Sequence, residues 1–131
     1  MLLYRITITL CTALFIVLFF QLLLTPESFL SGVGLSPNES AAVITRRASI
    51  FMLGLAVLLI GSFRLKPSHA RRGICLALGI TMIGLACMSY YEYNKGILSS
   101  AIIPALFIET AFGLLFFTLF FMNLRSKLNQ K

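Results

Sequence analysis

Charged residues are scarce in this chain. Of its 131 residues only 11% are charged and 59% are hydrophobic, whereas a typical soluble domain carries about 25% charged residues. Aspartate and tryptophan are absent, and four glutamates are the only acidic side chains. This composition excludes a water-soluble globule. The net charge of +7 therefore indicates membrane topology rather than nucleic-acid binding.

Residues that commonly carry metal, redox or covalent chemistry are also few. The three cysteines form no C-x-x-C pair, which argues against disulfide exchange. The single histidine, His69, lies in a basic loop and makes no metal site by itself. The sequence contains no glycine-rich phosphate loop and no nucleophile motif. We therefore predict neither a cofactor nor a metal site.

Four unbroken apolar stretches are each long enough to cross a bilayer as a helix. A helix needs about 20 residues to span the hydrocarbon core, whereas barrel strands alternate apolar and polar residues over about 10. The first stretch is too long for the apolar core of a signal peptide, so we expect a membrane helix there. The sequence thus predicts an all-α, polytopic membrane protein, a single four-helix transmembrane domain over 1–131. The predicted helices cover about residues 2–24, 37–63, 72–91 and 100–124.

The connection over 25–36 carries start and stop signals for a short helix. The segment 25–27, Thr-Pro-Glu, has proline at the first helical position and an acid in the first turn. Glycines shortly after it would end a helix over 27–31. The segment 36–39, Ser-Pro-Asn-Glu, has the form of a capping box, so the second long helix is predicted to begin near Pro37.

Counting Lys and Arg beside the spans predicts the orientation. One side carries Arg46, Arg47 and Lys95. The other side carries eight cationic residues, and cytoplasmic loops hold the excess of Lys and Arg. Both termini and the loop between the second and third spans are therefore predicted to be cytoplasmic. The eight are Arg5, Arg64, Lys66, Arg71, Arg72, Arg125, Lys127 and Lys131.

Glu109 lies within the fourth predicted span, where an acid is costly and needs a partner. Arg47 falls at a similar depth in the second span. It repeats every seven residues with Gly54 and Gly61, which would place it on a small-residue stripe facing neighbouring helices. We therefore predict an ion pair between Arg47 and Glu109.

Three further polar residues complete a predicted layer in the outer half of the bundle. Gln21 and Tyr90 fall near the depth of Glu109, and Arg46 is expected to extend towards the headgroups. Two interpretations stay open: the layer fixes helix register, or it forms a pocket under the outer loop that binds a headgroup, a peptide terminus or a small polar ligand. Rows of small residues are expected to form close-packing faces. These rows are Gly73, Ala77, Thr81 and Gly84 on the third helix, and Ala105, Glu109 and Gly113 on the fourth.

The chain resembles the DoxX-like group of small four-helix bacterial membrane proteins. The likeness rests on T-P-E at 25–27, F-L-S-G-V-G-L at 29–35, R-R-A-S-I-F-M-L-G-L-A at 46–56 and the membrane glutamate Glu109. It implies a four-helix architecture in the bacterial inner membrane. Some members act as partners of membrane redox complexes, although nothing in this sequence supplies redox chemistry. The resemblance also suggests Arg47 and Glu109 as the positions to test.

Three classes of function fit these features. The preferred one is a non-enzymatic inner-membrane protein that binds a lipid-like or hydrophobic ligand, or a membrane partner, through the polar layer. A membrane enzyme acting on a lipid-like substrate would need a second acid or a histidine near Glu109. A proton-coupled exporter is the third, since small multidrug-resistance transporters also carry a lone membrane glutamate, although in their first helix. Membrane lipids and either a second copy of the chain or a membrane protein are the expected partners; nucleic acid is not.

The charge count makes a direct prediction about topology. A reporter fused after Lys131 should report a cytoplasmic location, because eight of the cationic residues lie on that side. A tag inserted near Gly34 should be labelled from outside intact cells. A C-terminus on the outer side would contradict both the orientation and the even number of spans.

Overall fold

The computed structural model describes residues 2–128, and the side chains of residues 2–124. The described chain is almost entirely helical and contains no strand. Its elements are α1 (Leu2–Leu24), α2 (Pro26–Gly32), α3 (Glu39–Ser62), α4 (His69–Asn94), a 3-10 turn (Ser100–Ile102) and α5 (Ile103–Leu128).

Four of these helices, α1, α3, α4 and α5, are long and apolar enough to cross a membrane. The predicted all-α fold with four membrane helices is therefore confirmed, and the chain is a multi-pass membrane protein. The first helix has the predicted bounds, and the short helix α2 follows Thr25 with proline at its first position. The orientation of the termini stays a prediction.

The starts of two helices differ from the prediction because other residues cap them. The predicted capping box at 36–39 is wrong: α3 begins at Glu39, and the Asn38 side chain accepts a 2.8 Å hydrogen bond from the Ala41 amide. Helix α4 begins three residues earlier than predicted, because Ser68 accepts a hydrogen bond from the Arg71 amide. Asparagine and serine are both strong N-cap residues, so neighbouring candidates compete for the position.

The long helices pack chiefly as two pairs, α1 with α3 and α4 with α5. The start of α1, the loop between α3 and α4 and the last described turns of α5 meet at one end of the bundle, around Tyr4, Pro67 and Asn123. We call this the basic end, because Arg5, Arg64, Lys66, Arg71 and Arg72 lie in these segments or in the first turn of α4. The buried core joins the two pairs in the half of the bundle nearest this end. Its members are Tyr4, Ile8, Cys11, Phe15, Ala56, Leu59, Cys75, Leu78, Met82, Phe116 and Leu119.

Tyr4 links three segments at the basic end. Its hydroxyl donates a 3.0 Å hydrogen bond to the carbonyl of Ser62, at the last turn of α3. The guanidinium carbon of Arg71, on α4, lies 3.6 Å from the centre of the Tyr4 ring. Arg71 is only 3% exposed, and a desolvated cation–π contact contributes about 2 kcal/mol. This cluster therefore ties the α1–α3 pair to α4.

The α4–α5 pair depends on two close contacts at glycines. A Cβ built on Gly79 would lie 3.3 Å from the Phe117 ring, and one on Gly113 would lie 2.5 Å from the Ile83 side chain. Of the row predicted on the fourth helix, Gly113 thus does pack closely, whereas Ala105 and Glu109 line a cavity. The row predicted on the third helix is wrong, since Gly73, Gly84 and the two residues between them in the row are exposed. Lipid is as apolar as a helix interface, so small residues alone do not show which face is buried.

Substitution should have different effects at a glycine in close contact with another helix and at a glycine beside open space. Replacing Gly113 with valine should lower the free energy of unfolding by about 1 to 3 kcal/mol, because Ile83 leaves no room for the added carbons. Gly84→Val is the matched control, since no atom lies within 4 Å of its added Cβ. Thermal unfolding in detergent compares the two. Equal losses would show that the Gly113 contact does not hold the pair together.

Candidate functional site

A cavity of about 510 Å³ lies in the half of the bundle opposite the basic end. Every long helix contributes to its wall, as do α2 and the 3-10 turn. Most of the lining is apolar, including Met52 from α3 and Met82 from α4. The polar residues of the lining are Gln21, Ser28 and Glu109. The cavity begins where the buried core ends, because Phe15 and Met82 belong to both.

Two loops meet at the cavity and hold its outer edge. The Ser99 amide donates a 2.8 Å hydrogen bond to the carbonyl of Val33, and its hydroxyl donates to the carbonyl of Gly32 at 3.3 Å. Gly34 has φ +90°, and a Cβ there would lie 2.9 Å from Ser99. Glycine at position 34 therefore permits both the turn and the close approach. The contact joins the loop that follows α2 to the loop that precedes α5.

Glu109 is the ionisable residue in the cavity lining. One of its carboxyl oxygens, Oε2, is buried and has no hydrogen-bond partner. Ser89, on α4, lies beside this carboxyl. An unpaired buried acceptor costs about 1 to 3 kcal/mol, and more when it is charged. This oxygen thus keeps an unused acceptor capacity, which its own proton could satisfy, or a donor group on a bound molecule once the carboxyl turns towards the cavity.

The structure brings only part of the predicted polar layer together. Gln21 and Glu109 line the same cavity, whereas Arg46, Arg47 and Tyr90 do not. Arg46 instead lines a more polar pocket beside α2, and Tyr90 is 59% exposed. Whether Gln21 and Glu109 serve a ligand stays a prediction.

The predicted ion pair between Arg47 and Glu109 is not formed. Both side chains are described, and Arg47 is exposed on α3, which packs on α1, whereas Glu109 lies on α5, which packs on α4. Gly54 and Gly61 are exposed as well, and no atom lies within 4 Å of a Cβ on either. The stripe that suggested the pair is therefore exposed and makes no close packing contact with another helix.

The buried face of α3 carries small and hydroxylated residues that the prediction passed over. Ser49 is fully buried, and its hydroxyl donates a 2.6 Å hydrogen bond to the carbonyl of Arg46 in the same helix. A serine satisfied in this way needs no partner on another helix. Thr45, Ala56 and Leu59 share the buried face. The helical spacing of these residues could have indicated the buried face of α3. Because Ser and Thr are polar, however, they weaken the hydrophobic pattern.

Ser28 and Ser89 are the polar residues near Glu109 that sequence reasoning missed. Neither stands out in the sequence, because serine is common in loops and in membrane helices. Their proximity depends on how α2 folds over the bundle and on how α4 is rotated against α5. Within residues 2–128, no group of three or more His, Cys, Asp or Glu is placed to hold a metal ion.

Comparison of the chain with protein-family models, with curated proteins and with solved structures found no match. The resemblance to the DoxX-like group therefore stays a prediction. The site has to be interpreted from its own geometry: an apolar cavity with one carboxyl, one amide and one hydroxyl in its lining. Such a lining can bind an apolar molecule that offers one donor group to the carboxyl.

The loop contact at the cavity edge predicts a difference between two glycines. Gly34→Ala should lower the melting temperature more than Gly96→Ala. Both glycines have positive φ, so both substitutions strain the backbone, but only the alanine at 34 would also collide with Ser99. Thermal unfolding of the two variants in detergent measures the difference. Matching melting temperatures would mean that the contact between the loops contributes nothing to stability.

Proposed function

We propose that this protein is a non-enzymatic protein of the bacterial inner membrane that binds a lipid-like or hydrophobic ligand in the cavity beside Glu109. The proposal rests on one observation about Glu109. This residue lines an apolar cavity, and its buried Oε2 has no hydrogen-bond partner. A ligand that donates a hydrogen bond would satisfy this oxygen. The surrounding wall would bury the rest of the molecule.

The cavity supports a ligand of moderate size. Its volume of about 510 Å³ lies within the range of roughly 300 to 1,000 Å³ that is typical of small-molecule sites. Met52 and Met82 in the wall have flexible side chains that adapt to the shape of a bound molecule. A hydroxyl would satisfy a neutral or ionised carboxyl, and an ammonium group would also compensate a negative charge. We therefore expect a largely apolar molecule with one such group.

The apolar surface of the bundle supports the proposal that membrane lipids surround the protein. Large apolar side chains are exposed on the long helices, among them Phe51 at 74% and Val57 at 61%. A soluble monomer rarely exposes apolar surface on this scale. Lipid contact with these faces also gives a hydrophobic ligand a route to the cavity that does not pass through water. A second copy of the chain or another membrane protein stays a predicted partner.

The proposal is tested by identifying what copurifies with the protein. Wild type should retain a hydrophobic molecule bearing a hydroxyl or amino group, quantified by mass spectrometry after mild detergent extraction. Glu109→Gln should retain about tenfold less, because a hydrogen bond to a charged group contributes about 1.5 to 3 kcal/mol. Gly32→Phe should exclude the molecule, since Gly32 lines the cavity and has open space beside it.

Two matched variants control for charge and for added bulk. Glu92→Gln removes a carboxylate, and Gly73→Phe adds a ring at a glycine with open space; neither residue lines the cavity. Both should retain the wild-type amount. If wild type and Glu109→Gln carry the same molecules in the same amounts and differ only in melting temperature, the cavity is a packing feature and the proposal fails.

A further inference from the structure

A second cavity, of about 520 Å³, forms a groove between α1 and α3 in the basic half of the bundle. Its walls are largely apolar, with Ile8 and Ile16 on α1 and Ile60 on α3. Two small residues in the lining, Ala13 and Gly61, are exposed, so the space between the helices stays open to the surroundings. On α1 the groove extends from residue 8 to residue 16, or about 12 Å along the helix.

Two guanidinium groups lie at the basic end of this groove. Arg64 lines it directly. The guanidinium carbon of Arg5 lies 5.7 Å from the ring centre of Phe63, which is also a lining residue. Both arginines are exposed. The groove therefore joins an apolar channel to a pair of positive charges, as an amphipathic anion requires.

The acidic side chains of the chain lie away from these arginines. All four are described, and the nearest in sequence to Arg5 and Arg64 are Glu27, beyond the far end of α1, and Glu39, at the far end of α3. The other two are Glu92, in the last turn of α4, and Glu109, in the opposite cavity. A negative partner for this end must therefore come from outside the described side chains.

We infer that the groove holds an acyl chain of an anionic phospholipid whose phosphate contacts Arg5 and Arg64. The planar guanidinium suits bidentate contact with phosphate oxygens. One cationic group that contacts the lipid phosphate contributes about fivefold to binding. The apolar walls favour a phospholipid over a free phosphate, which would leave the groove empty. This inference concerns a site separate from the Glu109 cavity and does not depend on the proposed function.

The test compares the binding of phosphatidylglycerol and of phosphatidylcholine with the same acyl chains. Each lipid is titrated onto the delipidated protein in detergent, and native mass spectrometry counts the bound lipid molecules. Wild type should bind phosphatidylglycerol several-fold more tightly. Arg64→Gln and Arg5→Gln should each weaken that binding about fivefold. Gly61→Leu should weaken it as well, because its side chain enters the groove where no atom lies within 4 Å of the added Cβ.

Two matched control variants distinguish binding in the groove from general electrostatic attraction between an anionic lipid and the basic end. Lys66→Gln removes a charge from the same loop, and Gly54→Leu adds the same side chain to an exposed glycine of α3 with open space; neither residue lines the groove. Both should bind phosphatidylglycerol as wild type does. Equal binding of the two lipids, equal losses in Lys66→Gln and Arg64→Gln, or unchanged binding in Gly61→Leu would each overturn the inference.

Discussion

The arrangement of this protein depends on tight packing at one end of the bundle. Inside a membrane no hydrophobic force drives helices together, so association relies on close contacts and on polar groups that satisfy each other. Here both are concentrated near the basic end, where Tyr4 joins Ser62 to Arg71 and the buried core fills the space between the pairs. Among residues 2–128 this buried cluster does not extend through the opposite half, where the loops meet through Ser99 and Val33. The cavity occupies the space that this uneven packing leaves.

That cavity combines two properties that a largely apolar ligand with one donor group would match. Its wall is apolar, and the carboxyl of Glu109 keeps an oxygen that is buried and unpaired. Burying a polar group without a partner is costly in hydrocarbon, and Ser89 relieves only part of that cost. The predicted Arg47 partner does not pair with this carboxyl. In the proposed function a bound ligand supplies the partner instead.

The sequence predicted the spans well because span length follows from membrane thickness and from the need to pair every backbone group. It did not predict helix rotation, because the lipid-facing and buried faces are both apolar. Gly84 and Gly79 look alike in the sequence, yet only Gly79 meets a neighbouring helix. The spacing of Arg47 with two glycines predicts an inward position for it, whereas in the structure the buried face of α3 carries Ser49. Two residues of the cavity lining, Gln21 and Glu109, could thus be predicted from their depth, but the side chains around them could not.

The most direct measurement is photo-crosslinking of a bifunctional lipid analogue to the purified protein, with attachment sites mapped by mass spectrometry. The account predicts crosslinks at buried cavity residues such as Leu22 and Met82, and their loss when Gly32→Phe fills the cavity. Crosslinks at exposed positions such as Phe51 should persist in both proteins, because that side chain faces the surrounding lipid. Labelling confined to the exposed faces of the wild-type protein would contradict the account.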